Sequence, residues 1–226
     1  MSFIVAMDGP AGTGKGTITS LISKEMGLVN IDTGATYRCV ALYAIKNNIE
    51  LEEKEKIIES LPNIHIDMKN EQGIQRVYLN NEDVTSAIRT KEVTKIVSQV
   101  SSIVEVRLAM VEVQRNLAKG KDVIMEGRDI TTYVFPNADV KIYLDANEEE
   151  RAKRRYKEMQ EKGVEMTYEE VLKNIQIRDK NDKEKELGAL KIAEDAIYID
   201  TTNLSIEEVK EKVKEIITEK YKNRNF

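Results

Sequence analysis

The stretch DGPAGTGKGT, from Asp8 to Thr17, has the residue types and the spacing of a phosphate-binding P-loop. Gly9, four intervening residues, Gly14 and Lys15 follow a short apolar run, and a helical pattern comes after them. In such a loop the glycines let backbone N–H groups turn inward around an anion, and the lysine reaches the β and γ phosphates. The stretch therefore predicts binding of a nucleoside triphosphate.

Gly16 stands where the general pattern has a serine or threonine whose hydroxyl binds Mg²⁺. Without that hydroxyl, Mg²⁺ must be held mainly by phosphate oxygens and water, oriented by carboxylates such as Asp8 or Asp32. We therefore expect no metal site built from protein side chains alone. Thr17 can still hydrogen-bond phosphate from the first helical turn. The residues expected to bind ATP are Gly9, Pro10, Ala11, Gly12, Thr13, Gly14, Lys15, Gly16 and Thr17.

Two other stretches place arginines where a second phosphate group could be bound, because bidentate guanidinium groups suit phosphate oxygens. In DTGATYR, Asp32 and Thr33 can cap the next helix, and Arg38 lies one turn further in. In EGRD, Arg128 and Asp129 follow an apolar run at the carboxyl edge, where α/β sheets bind ligands. Both stretches favour recognition of a phosphorylated acceptor.

A third stretch, RDKNDKEK, places Arg178, Asp182 and Lys185 at i, i+4 and i+7 of one helical face. Taken alone, this pattern is more typical of a solvated, salt-bridged helix. Alongside the P-loop and the two arginine-bearing stretches, it predicts a third contribution to the acceptor site.

The stretch EEERAKRRYKEMQEKG (148–163) places Arg151, Arg154 and Arg155 on a predicted helix. A charged solvent face with Glu–Arg pairs, worth about 0.3 kcal/mol each, is the alternative to a functional role.

Five short β-branched runs punctuate the chain and predict its main strands. They are FIVAMD (3–8), LVNID (28–32), DVIMEG (122–127), VKIYLD (140–145) and AIYID (196–200). Helical periodicity fits 15–26, 34–48, 146–162, 168–186 and 205–221. Continuous apolar runs that alternate with helices predict parallel strands covered on both faces, and hence an α/β doubly wound sheet.

The segment from about 63 to 90 does not follow this alternation of strands and helices. Its pattern predicts short strands joined by turns at 70–73 and 80–83. Helical stretches at 92–102 and 104–118 lead back to the third main strand. We interpret the segment as an insertion in a single domain that spans residues 1–226.

Composition excludes several classes of protein. The net charge of −5 argues against a dedicated nucleic-acid binder, and one cysteine with one histidine leaves no disulfide framework and no zinc site. Cys39 lies in an apolar run, which favours a buried structural thiol. No stretch has the length of a membrane span or the features of a signal peptide, so we expect a cytoplasmic protein without membrane partners.

The loop GPAGTGKGT resembles that of nucleoside monophosphate kinases, and the whole chain closely resembles the bacterial cytidylate kinases. The stretches that carry this resemblance are DGPAGTGKGT, DTGATYR, IRTKEV, VSQVS, VRLAM, GRDITTYVFPNADVKIYLDA, EERAKRR and LSIEEV. The resemblance implies a three-layer P-loop fold with a central five-stranded parallel sheet, a nucleotide-monophosphate-binding insertion at about 61–103 and a short helical lid at about 148–163. The core would then comprise about 1–60, 104–147 and 164–226.

The resemblance also implies roles for individual residues. Ser98, Arg107 and Asp129 would read the cytosine edge. The remaining contacts with CMP would come from Thr33, from Arg38, Arg128 and Lys185 on the phosphate, and from Arg178 and Asp182 on the ribose. Lys15, Arg128 and Arg154 would act on the transferring phosphoryl group.

Three residues depart from the family pattern. Lys185 stands in place of an arginine, which gives a point charge instead of a fork. Glu126 stands in place of an aspartate, and Thr131 in place of a glycine, which predicts a stiffer backbone there. None of these changes removes a required charge, so we expect activity to be retained.

The expected reaction is phosphoryl transfer from ATP to CMP or dCMP with Mg²⁺, by a monomer that binds only small nucleotides. A monophosphate kinase for another base, such as UMP or AMP, is the nearest competing hypothesis. A small-metabolite kinase of the shikimate type and a nucleotide-binding regulatory protein that has lost catalysis are more distant ones. No Asn-Lys-x-Asp stretch is present, which disfavours a GTPase.

Overall fold

The computed structural model describes residues 2–71, 74–161 and 163–223. Its strands are β1 Ile4–Asp8, β2 Val29–Asp32, β3 Ile66–Glu71, β4 Ile74–Leu79, β5 Glu82–Asp83, β6 Val123–Glu126, β7 Val140–Asp145 and β8 Ile197–Asp200. Its helices are α1 Lys15–Met26, α2 Thr33–Lys46, α3 Lys54–Ser60, α4 Lys91–Val100, α5 Val104–Ala118, α6 Glu148–Glu161, α7 Tyr168–Glu184 and α8 Ile206–Asn223. Gln72 and Gly73 of the predicted hairpin turn, and Lys162 near the predicted lid tip, lie outside the described residues.

Five strands form one sheet in the order β2-β6-β1-β7-β8, and every neighbouring pair is parallel. The predicted parallel sheet is thereby confirmed, and each strand bound lies within one residue of its predicted position. The five strands end on Asp8, Asp32, Glu126, Asp145 and Asp200, so carboxylates line one edge of the sheet. Ligands of α/β sheets bind at this carboxyl edge.

Alternate residues of β1 face two separate hydrophobic cores. Ala6 packs into the core formed with α2 and α5, whereas Val5 and Met7 pack into the core formed with α1 and α8. Helices therefore cover both faces of the sheet, which confirms the three-layer α/β fold. Cys39 is fully buried in the first core, where burial raises the pKa of its thiol to about 12.

The segment between β2 and β6 contains a second, antiparallel sheet in the order β3-β4-β5. Asn80 and Asn81 take positive φ angles of 50° and 68° in the turn between β4 and β5, a conformation that asparagine tolerates well. Gln75 Nε2 donates to Asn30 O and so connects this small sheet with β2. The short strands expected here are present, while the exact limits of the insertion stay a prediction.

Several local features differ from the sequence-based expectations. Helix α3 was not anticipated, since seven residues with charged ends give little periodic signal. A π-helical turn at Ile130–Val134 follows β6, where the sequence patterns predicted no regular structure. Helix α7 ends at Glu184, which leaves Lys185 as its C-cap residue instead of a member of the helical face. Among the described residues, no helix is long and apolar enough to cross a membrane.

Candidate active site

The P-loop connects β1 to α1 through three glycines in the left-handed region of φ. Gly9 has a φ of +147°, and a Cβ there would overlap Leu144 O of β7. Gly14 is the N-cap residue of α1, with a φ of 89°. The loop therefore depends on glycine both for its backbone angles and for its close approach to β7.

Lys15 is almost fully buried at the first position of α1. Its Nζ donates to Gly9 O and Pro10 O, both at 2.7 Å, and to Thr13 Oγ1 at 3.3 Å. Burial lowers the pKa of Lys15, and the nearby positive charge of Arg128 lowers it further. The Lys15 ammonium group thus lies against the backbone of the P-loop, where it could contact an anion bound by the loop.

The Glu126 carboxylate lies directly beside Gly16. A Cβ on Gly16 would lie 2.9 Å from Glu126 Oε1, so the carboxylate occupies the position of the missing side chain. Burial raises the pKa of Glu126 to about 7, assisted by the negative charge of Asp32 and opposed by Lys15 and Arg128. A carboxylate from β6 therefore stands where other P-loops have a hydroxyl.

Asp8 does not present a free carboxylate to the P-loop. Its Oδ1 accepts from Ile130 N at 3.0 Å, and its Oδ2 accepts from both the backbone N and the Oγ1 of Thr131, at 2.7 Å each. Burial raises the pKa of Asp8, and these hydrogen bonds oppose that rise. Asp8 thus anchors the π-helical turn to β1, and the Thr131 hydroxyl, absent from a glycine, is part of the anchor.

At the start of α2, Asp32 is the N-cap residue but makes no side-chain capping hydrogen bond. The expected cap is wrong in this respect, because Asp32 Oδ2 instead lies 3.3 Å from Arg89 Nη2. Thr33 Oγ1 donates to Glu126 O at 2.7 Å, which joins α2 to β6. Arg38 donates to Ile88 O at 3.1 Å and to a threonine of α4, so it connects α2 with the insertion.

One buried carboxylate, Asp182, brings the predicted acceptor cations together. Its Oδ2 accepts from Arg128 Nε at 2.8 Å and lies 4.0 Å from Arg178 Nε, and its Oδ1 accepts from Lys185 Nζ at 2.9 Å. Lys185 Nζ also donates to Ser101 Oγ at 3.2 Å. Asp182 is therefore shared by three cations: Arg128, which follows β6, Arg178 of α7 and Lys185 at the end of α7.

The pKa of Asp182 reflects this arrangement. Burial alone would raise it, but Arg128, Lys185 and Arg178 together bring it well below its ordinary value. The pKa of Arg178 is lowered to about 10, first by desolvation and then by Arg128, while Arg38 also contributes. The face of RDKNDKEK is therefore only partly solvated, since Asp182 and the Lys185 side chain are almost fully buried while the Arg178 side chain is 46% exposed.

The residues expected to read the base form a second buried pair. Arg107 Nη2 donates to Asp129 Oδ2, while Arg107 Nη1 donates to Ser101 O at 3.2 Å. Ser98 is half-buried on α4, and its carbonyl accepts from the Ser101 hydroxyl at 2.9 Å. Ser101 thereby connects Ser98 with Arg107, which in turn contacts Asp129. Ser101 lies in the stretch VSQVS, but no role was expected for it.

Arg151 is buried at the base of the predicted lid and contacts the P-loop directly. It donates to Ala11 O at 3.0 Å, to Ala146 O at 2.9 Å and to Asp179 Oδ2 at 2.6 Å. The first turn of α6 is thus bound to the P-loop and to α7. The sequence pattern of glutamates and arginines in α6 indicated only pairs within the helix, and it could not indicate that Arg151 contacts the P-loop and α7.

The two following arginines face different parts of the molecule. Arg154 donates to Thr201 O at 2.6 Å and to Thr201 Oγ1 at 3.0 Å, next to the end of β8. Arg155 pairs with Glu158 at 2.6 Å, and its charge helps to lower the pKa values of Arg38 and Arg178. Arg155 of the predicted lid therefore lies near enough to Arg38 and Arg178 to affect them, while Arg154 is bound to Thr201.

Comparisons with known proteins agree with this site. The profile of the cytidylate kinase family matches residues 5–219. A cytidylate kinase of Caldicellulosiruptor saccharolyticus is 52% identical over 212 residues, which cover 94% of each chain. A cytidylate kinase of Caldicellulosiruptor bescii is 50% identical over 219 residues, which cover 97% of each chain.

A solved structure of an uncharacterized protein from Eubacterium ventriosum superposes with a TM-score of 0.50 at 9% identity. The aligned region covers 96% of this chain and 99% of the other chain, and at this identity it shows a shared fold alone. The family assignment depends instead on the match over almost the whole sequence. On that ground, this chain belongs to the cytidylate kinase family.

Proposed function

We propose that this protein transfers the γ-phosphoryl group of ATP to CMP or dCMP, giving ADP and CDP or dCDP. The observation that carries the proposal is that two sets of cations meet at one sheet edge. Lys15 of the P-loop is close enough to Arg128 and Arg178 for their charges to lower its pKa. One set can bind the donor phosphates and the other the acceptor phosphate, as a reaction between two polyanions requires.

The chemistry depends on positioning and charge neutralisation, and it proceeds by in-line transfer without a covalent enzyme intermediate. Lys15 binds the donor phosphates, and Arg128 contacts the phosphate that attacks. No general base is needed, because the acceptor oxygen is already anionic. Arg154 or Arg155 would add positive charge as the lid closes and excludes water.

The residues at the P-loop fit Mg²⁺ carried on the donor phosphates. Among the described residues, no hydrogen bond or ion pair engages the Glu126 carboxylate, and its pKa is raised first by burial and then by the negative charge of the nearby Asp32. Glu126 and Asp32 would hold the ion through its water ligands. When bound, Mg²⁺ supplies neutralisation of the donor phosphate charge.

Recognition of cytosine would depend on Asp129. Its Oδ2 is bound by Arg107, and within the described part of the chain no donor contacts its Oδ1. That oxygen can accept a hydrogen bond from the cytosine 4-amino group, whereas uracil would present a carbonyl oxygen to it. A buried acceptor left unpaired in this way rejects the wrong base strongly.

The remaining assignments complete the proposal. Residues 61–103 would act as the acceptor-binding insertion and 148–163 as the lid, within a single domain. Ser98 would contact the base, and Arg38, Lys185, Arg178, Asp182 and Thr33 the rest of the acceptor nucleotide. A monomeric state stays a prediction.

The test is ADP release with Mg-ATP and each of CMP, dCMP, UMP, AMP, GMP and shikimate in parallel. We expect CMP and dCMP to be used with kcat/KM at least ~10² above that for UMP. Turnover led by UMP or AMP would favour the competing monophosphate kinase, and turnover of shikimate would refute the nucleotide assignment. Binding of ATP without turnover of any acceptor would indicate a regulatory protein.

A further inference from the structure

Ser101, the C-cap residue of α4, lies between two groups of residues in the acceptor site. Its carbonyl accepts from Arg107 Nη1 at 3.2 Å, and its hydroxyl accepts from Lys185 Nζ, also at 3.2 Å. The same hydroxyl donates to Ser98 O at 2.9 Å. Ser101 is only 6% exposed, so these contacts are shielded from water. One buried serine therefore contacts both a residue expected to read the base and a cation expected to bind the acceptor phosphate.

The direction of each hydrogen bond at the Ser101 hydroxyl is set by its partner. A carbonyl oxygen can only accept, and an ammonium group can only donate. The single hydroxyl proton therefore points to Ser98 O, and a lone pair of the oxygen faces Lys185 Nζ. The Ser98 carbonyl thus makes Ser101 Oγ an acceptor for the lysine.

Lys185 needs more than one acceptor to be held in a fixed direction, because an ammonium group is a point charge on a flexible stem. Its side chain is buried, and Nζ donates to Asp182 Oδ1 at 2.9 Å as well as to Ser101 Oγ. Asp182 belongs to α7 and Ser101 to the end of α4, so the lysine is bound between two elements. Within the described part of the chain these are the only acceptors of Nζ, which leaves its third N–H for a phosphate oxygen.

We propose that Ser101 is a positioning residue of the acceptor site, and that its hydroxyl directs the Lys185 ammonium group toward the acceptor phosphate. Lysine stands here in place of the arginine of the family pattern. The hydroxyl supplies the second fixed contact that the rigid fork of a guanidinium group would not need. This inference deepens the proposed function and rests on it, because it takes Lys185 as a ligand of the CMP phosphate.

The hydroxyl and the carbonyl of Ser101 have separable effects. Replacement by alanine removes the hydroxyl but keeps the backbone carbonyl that Arg107 contacts. Lys185 would then keep Asp182 as its one acceptor and could turn about that single bond. We therefore expect weaker binding of the acceptor phosphate while recognition of the base is retained.

The test is Ser101→Ala, with Ser102→Ala as its matched control. The Ser102 hydroxyl also donates to Ser98 O at 2.9 Å, but Ser102 is exposed and, among the residues described, makes no hydrogen bond to Lys185. The measurements are kcat and KM for CMP, KM for ATP, and the inhibition constant of cytidine as a competitor of CMP. Cytidine carries the base and the ribose of CMP but no phosphate, so it reports on recognition that does not involve Lys185.

We expect Ser101→Ala to raise the KM for CMP at least ~5-fold, since a hydrogen bond to a charged group is lost. The kcat should change less than ~3-fold, and the KM for ATP and the inhibition constant of cytidine less than ~2-fold. Ser102→Ala should match the parent protein. An equal rise for CMP and cytidine would overturn the proposal, and so would no change for CMP. A parent protein that does not use CMP at all would instead refute the proposed function.

A double-mutant cycle with Lys185→Met tests whether the effect passes through the lysine. In that background Ser101→Ala should change the KM for CMP less than ~2-fold, because no ammonium group is left to direct. A rise as large as that in the parent background would show that Ser101 acts by another route, and the proposal would fail. If Ser101→Ala does not fold, Ser101→Cys takes its place with the same expected outcomes, because a thiol fills the space but is a weak acceptor.

Discussion

Asp8 and Asp182 are both almost fully buried aspartates near the same edge of the sheet, yet different partners hold them. Asp8 accepts only from neutral donors of Ile130 and Thr131, and its pKa is raised. Asp182 is surrounded by three cations, and its pKa is lowered. Asp8 therefore anchors the turn Ile130–Val134, whereas Asp182 holds together cations that would otherwise repel one another.

This difference separates the donor side from the acceptor side of the site. The P-loop carbonyls accept hydrogen bonds from the side chains of Lys15 and Arg151, and Lys15 is the one cation proposed to bind its phosphates. The acceptor side gathers several cations that need a shared anion while no phosphate neutralises them. Asp182 is that anion for Arg128, Arg178 and Lys185, and under the proposed function it would hold these cations in position for the acceptor phosphate.

The largest expected effect concerns the donor side. Lys15→Met should lower kcat on the order of 10³-fold, because the charge that develops on the transferring phosphoryl group loses its nearest cation. ADP release with CMP measures this loss. Lys24→Met, at an exposed position in the last turn of the same helix, is the control and should keep parent activity. Equal losses in both variants would show that α1 itself had been disturbed.

The comparison of the two aspartates is tested by Asp182→Asn and Asp8→Asn. We expect Asp182→Asn to lower the free energy of unfolding by about 3–5 kcal/mol, because three cations lose their anion. Asp8→Asn should cost about 1–3 kcal/mol through impaired hydrogen bonds. Denaturant unfolding with and without sulfate distinguishes them: sulfate should stabilise Asp182→Asn more than it stabilises the parent protein, and Asp8→Asn no more than the parent protein. Extra stabilisation of both variants would contradict the distinction between anchor and shared anion.

The sign of the pH dependence sharpens the same comparison. The stability due to Asp182 is present above the ordinary aspartate pKa of about 3.9 and is lost as the pH falls through its lowered value. Asp8, whose pKa is raised, disfavours the folded state as the pH rises above that ordinary value. The stability difference between each variant and the parent protein should therefore change in opposite directions across acidic pH.

The smallest expected effect concerns Glu126, whose pKa is raised to about 7. A raised carboxyl pKa means that stability is lost as the pH rises from about 4.5 to 7. Glu126→Gln should therefore raise the melting temperature at pH 8 by a few degrees, at about 2–4 °C per kcal/mol, and change it little below about pH 4.5. The exposed Glu52→Gln is the control, and a pH-independent gain in Glu126→Gln would contradict the assigned cause.

Much of the scaffold could be predicted from residue patterns. Continuous apolar runs located all five parallel strands, and the signal is clearest for β1, β6 and β7 because a strand buried on both faces is apolar nearly throughout. The π-helical turn Ile130–Val134 was not predictable, since it depends on Asp8, more than a hundred residues away in the sequence. Helix α3 was missed because it is short and mostly polar.

The site was predictable in its residues but not in its connections. The motifs identified Arg128 in one stretch and Asp182 with Lys185 in another. That the Asp182 carboxylate joins the two stretches depends on how α7 packs against the end of β6. The same limit applies to the lid, where the sequence favoured Arg154 but the structure directs it to Thr201. Spacing along a helix indicates a face, but not which element lies opposite that face.

The contact between Gly16 and Glu126 has a consequence for how interchangeable P-loops are. A Cβ at residue 16 would come within 2.9 Å of the glutamate oxygen, so loop and strand have a matched pair of residues. A loop transplanted from a GTPase would bring a serine that displaces the carboxylate from its place. When such loops are exchanged between kinases and other P-loop proteins, the end of β6 should therefore be transferred with the loop, because residues 16 and 126 are in contact and need to be changed together.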